Sequence, residues 1–111
     1  MNQDLENRIF SCNLLFRGME NGVPSETDLW EERVVLIFAP FEEEAITKAK
    51  VIGMENELSY QTIAGTTLVW KFIQIERIFE LTDSQFKDGM EVFYRYLRNS
   101  EVESLLTPFE D

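Results

Sequence analysis

The chain has 111 residues, 44% of them hydrophobic, with nine Phe and a formal charge of −11. It contains no histidine and one cysteine, so it lacks the usual proton shuttle and the commonest metal ligand, and with them most Ser-His, Cys-His and zinc mechanisms. The acidity speaks against non-specific binding of nucleic acid or anionic membranes, which both need a basic surface.

A chain of this length fits one domain, residues 1–111, and its apolar content is enough to fill a core without disulfides. The polar stretch Met1 to Arg8 is not a signal peptide, and no apolar run reaches the roughly 18 residues of a membrane span. A reducing cytoplasm is the expected location. Cys12, flanked in an apolar register by Phe10 and Leu14, reads as a buried, inert thiol.

Residues Arg8 to Arg17 alternate as a strand, with Phe10, Cys12, Leu14 and Phe16 on one side and Ser11, Asn13 and Arg17 on the other. Gly18 to Asp28, rich in Gly, Asn, Pro, Ser and Asp, is a surface loop. Leu29 to Ala39 is a second strand. Its apolar run Val34 to Phe38 predicts burial on both faces.

After Pro40 the period changes. Phe41, Ala45, Ala49 and Ile52 form one helical stripe, and Gly53 is a natural stop. Glu42, Glu43 and Glu44 suit the positive end of the helix dipole. Leu58 to Trp70 contains no charged residue and folds back on itself at Ala64-Gly65, which predicts a hairpin. Its second arm runs on to Phe79 and is long enough to need a bend or bulge. Thr82 to Gly89 is a connector with one helical turn at Asp83 to Lys87. Met90 to Leu97 is a last strand. Ser100-Glu101-Val102-Glu103 has capping-box spacing before a short helix that Pro108 ends.

No motif supplies chemistry. Asp83 and Asp88-Gly89 lack the alternate acids of a calcium loop, since Gln85 and Lys87 stand there. There is no Gly-rich phosphate loop, no G-x-S-x-G and no Cys-x-x-Cys, and no carboxylate pair stands out. The sequence therefore implies no catalytic residue, no metal site and no cofactor. Amphipathic aromatics on the expected strands are the better lead, because such residues are enriched at interfaces. With the uncharged hairpin, they give a candidate contact surface of Tyr60, Thr62, Thr67, Trp70, Tyr94 and Tyr96.

Several segments together resemble a family of small acidic bacterial domains of unknown function. They are Leu14-Leu15-Phe16, Glu31 to Ile37, Glu42-Glu43-Glu44-Ala45, Ser59-Tyr60, Trp70-Lys71-Phe72 and Asp88 to Arg95. The chain departs from that pattern at Ile9-Phe10, where the family carries Trp, and at Phe41, where it carries Ser. The resemblance implies no activity.

The expected fold is α+β: about five mostly antiparallel strands, one main helix over about 41–53 on one face, and a short C-terminal helix. The expected function is a non-enzymatic protein-interaction module, with a second copy of itself as one candidate partner. Two other readings stand beside it. One is an immunity or inhibitor protein that covers a basic toxin or nuclease with its acidic surface. The other is a carboxylate enzyme or small-ligand binder.

Overall fold

The computed structural model describes residues 7–82 and 86–107. The helical turn expected at Asp83 to Lys87 lies largely outside them, as does Pro108. Strands β1 (Arg8–Glu20), β2 (Leu29–Ala39), β3 (Leu58–Gln61) and β4 (Thr67–Glu80) form one antiparallel sheet in the order β2-β1-β4-β3. Helix α1 (Glu42–Glu55) crosses one face, and α2 (Asn99–Leu106) ends the described chain. The architecture is α+β, as expected.

Strand β1 sits at the centre because its alternation is the cleanest in the chain. Phe10, Cys12, Leu14 and Phe16 all lie under α1 and form a core with Ile37, Ala39, Ala45 and Ala49. Burial pushes the Cys12 thiol up to about 11, with Glu42 adding to the effect, so the thiol stays protonated and inert at neutral pH.

The expected helical stripe is real in part: Ala45 and Ala49 are fully buried, while Phe41 precedes the helix and is half exposed. Gly53 is not the stop. It lies inside α1, which continues to Glu55 and is closed by Asn56. A side chain at Gly53 would place its Cβ 2.6 Å from the Phe72 ring. The glycine lets helix and sheet approach closely, and that need outweighs its weak helix propensity.

Gly53→Ala is therefore expected to lower stability by ~1 kcal/mol, although alanine ordinarily favours a helix by about that much, because overpacking a tight contact costs more. A higher melting temperature for the variant would mean that the contact has room.

Three other expectations are corrected. The described residues form four strands, because residues 90–98 do not pair as a strand. Their side chains explain why: Phe93 and Tyr94 stack edge-on against Phe79, Arg95 pairs with Glu76, and the Val92 carbonyl accepts from the Ser11 hydroxyl. The segment is thus held by contacts on the sheet face opposite α1, where Ser11 points. Val34 to Phe38 is not buried on both faces: its even-numbered side chains, on the face opposite α1, are exposed. The capping interaction of α2 falls two residues earlier than expected, with the Glu101 carboxylate accepting from the Arg98 backbone N–H at 2.8 Å.

The hairpin is as expected, with Gly65 at φ +87° in its turn. The bend in its long arm is also present. The β1–β4 register slips twice, leaving Glu76 and Ile73 as extra residues on β4.

Candidate functional site

The sheet is incomplete on the β3 side, and this creates a groove. Strand β4 has 14 residues, but β3 pairs only with Thr67 to Trp70. The rest of that edge has no strand partner among the described residues. Glu57, which precedes β3, partly substitutes: its carboxylate accepts the Phe72 N–H at 2.9 Å. The Phe72 N–H therefore points outward, away from β1.

Helix α1 overhangs this open edge. Ile46, Lys50 and Met54, spaced four apart, face it and form one wall of a groove of about 810 Å³. The other wall is the continuous run Lys71 to Ile78. Alternating side chains on one face cannot line a groove with consecutive residues. The wall is therefore the strand's edge, backbone included.

Electrostatically the groove differs from the rest of this acidic molecule. Its carboxylates are already engaged, Glu57 with the Phe72 N–H and Glu76 with Arg77 and Arg95. Lys50 and Lys71 form no ion pair with the described residues. The groove thus offers an apolar lining, with two lysines beside it that form no ion pair among the described residues. No cluster of three metal-ligating side chains occurs among the described residues.

The six residues singled out by sequence do not form one patch. Tyr60, Thr62, Thr67 and Trp70 lie at the hairpin end of β4, and several are engaged within the chain. The Trp70 indole donates to the Tyr60 hydroxyl at 3.3 Å and its ring covers Gly18. The Thr62 hydroxyl meets that of Thr66, and the Thr67 N–H donates to the Asn21 side chain. Tyr94 and Tyr96 stack on each other beside Phe79 at the other end of β4, roughly 30 Å away at ~3.3 Å per strand residue.

Sequence reasoning missed the groove altogether. Its one legible signal was the disparity between a four-residue first arm and a much longer second arm, which leaves strand edge unpaired.

Among the described residues, no helix is long and apolar enough to cross a membrane. A family model described as a domain of unknown function (DUF4288) matches residues 9–94. No curated protein and no solved structure matched the chain.

Proposed function

Because the chain belongs to the family described as a domain of unknown function (DUF4288), membership brings no activity with it, and we propose a function from the groove alone. The protein is a non-enzymatic interaction module that accepts an extended segment of another protein beside β4. The observation that carries this reading is the open backbone edge of residues 71–78 facing the apolar stripe of α1 across a groove. An extended segment laid there adds a strand to the sheet. Main-chain hydrogen bonds supply affinity, and alternate side chains enter the space under Ile46 and Met54. Lys50 and Lys71 favour a segment carrying acidic residues. The inhibitor and enzyme readings gain no comparable support, since the carboxylates at the groove are engaged with the protein itself.

The test uses a synthetic peptide of alternating valine and threonine with one glutamate at each end. Its addition is expected to shift the amide signals of residues 71–78 together with those of Ile46 and Met54. Methylating alternate peptide nitrogens should abolish the effect, because it removes the strand hydrogen bonds and leaves the side chains. Met54→Glu should weaken binding ~10-fold, or ~1.4 kcal/mol. Shifts confined to another face, or equal binding of the methylated peptide, would rule out strand addition at this site.

A further inference from the structure

Strand β2 is composed for the middle of a sheet and placed at its edge. Val34-Val35-Leu36-Ile37-Phe38-Ala39 contains no charge and no proline, and its register with β1 has no bulge. These are the devices by which exposed strands usually resist pairing. Yet Val34 is 50% exposed, Leu36 42% and Phe38 47%.

The backbone direction follows from one hydrogen bond. The Ile9 carbonyl accepts from the Leu81 N–H at 2.8 Å, so Ile9 turns its main-chain groups toward β4. Its partner on β2, Phe38, must then turn its own groups away from β1. The same holds for Val34 and Leu36 by alternation. On this edge the Lys48 ammonium donates to the Phe38 carbonyl at 2.6 Å.

We infer that β2 pairs edge to edge and antiparallel with β2 of a second copy of this chain. Self-complementarity selects the occupant. A two-fold axis at Leu36 sets that residue against its own copy and Val34 against Phe38 on one face. On the other face Val35 meets Ile37. Every facing pair between Val34 and Phe38 is apolar. The strand's charged residues, Glu31, Glu32 and Arg33, fall opposite Phe41, Pro40 and Ala39 and never opposite a like charge. A register centred on Arg33 would instead oppose two guanidinium groups, which disfavours it.

The contact is small. A strand edge with three half-exposed apolar side chains per copy buries on the order of 1,000 Å² in total, near the lower limit for a specific interface. Two copies of charge −11 also repel each other. The dimer is therefore expected at micromolar to high-micromolar concentrations and should strengthen with salt, which screens that repulsion. This inference is independent of the groove, which lies on the opposite side of the sheet.

The experiment is sedimentation equilibrium of the whole chain from 5 to about 500 µM at low and high salt, concentrations chosen to span the affinity expected for so small an interface. The expected result is a reversible dimer that Leu36→Lys weakens at least ~10-fold, with an unchanged circular dichroism spectrum. Leu36→Cys provides a second readout that does not depend on how the lysine variant folds. Residues opposite their own copy lie within disulfide reach, so mild oxidation should cross-link Leu36→Cys. Ile73→Cys, equally exposed on β4, should not cross-link. A wild type that stays monomeric at the highest concentration in high salt overturns the inference. So does a dimer in which Ile73→Cys cross-links as fast as Leu36→Cys.

Discussion

Replacing Ala49 by aspartate should cost about 3–5 kcal/mol, a large share of the 5–15 kcal/mol typical of a domain. Ala49 is completely buried on the sheet-facing side of α1, in the same cluster as Phe10, Cys12, Leu14 and Phe16. A carboxylate there would have to lose its hydration among apolar side chains or take up a proton. Ala45→Asp should behave alike, one helical turn earlier. Glu43→Gln is the matched control. It removes a charge from the exposed first turn of the same helix, and its effect on the dipole is at most several tenths of a kcal/mol. Urea titrations of the three variants decide the matter. If their midpoints fall equally, the assigned buried face of α1 is wrong.

Phe16→Ala should cost a comparable ~3–5 kcal/mol, for a different reason. The Phe16 ring is fully buried, with the Phe72 ring 5.7 Å away and the Arg33 guanidinium 4.5 Å from its centre. Truncation leaves a cavity and removes the support that holds Phe72 against Gly53. Phe38→Ala deletes the same ring from a neighbouring strand but from a half-exposed position. At low micromolar protein it should cost only ~1 kcal/mol, since about half of the ring's surface is already exposed. Chemical denaturation of both variants gives the comparison. Similar losses would mean that the face of β2 opposite α1 is covered in the monomer.

These two phenylalanines also show what could be read from the chain. Phe16 sits in a strict alternation with Phe10, Cys12 and Leu14, and that pattern alone assigned its face. Phe38 ends a continuous apolar run, which has no period and so carries no information about which side is covered. Composition predicted two buried faces, while helix α1 covers only one of them, and which face a helix covers is a tertiary property. Gly53 failed for a related reason: a glycine late in a helix reads as a terminus unless the opposing ring is known. Residues 90–98 alternate well enough for a strand, but their aromatic and ionic contacts to Phe79, Glu76 and Ser11 fix them across the sheet. The groove beside β4 depends on where β3 stops, and the sequence showed that only as an unequal hairpin.

The two extra residues of β4 bear on how the chain tolerates changes of length. Ile73 and Glu76 each stand unopposed in the ladder with β1. Consequently Phe72, Ile75 and Ile78 share the helix-covered side at intervals of three rather than two. Excising Ile73 would restore simple alternation between Phe72 and Ile75, with Glu76 still unopposed, and leave every other side chain of β4 on its present side. Excising one residue from the middle of β1 would instead turn half of that strand inside out, exchanging Phe10 and Cys12 for Ser11 and Asn13. The wall of the groove is thus the part of the sheet where the reading frame of the fold has slack, and there a single-residue deletion can shorten a strand without inverting it.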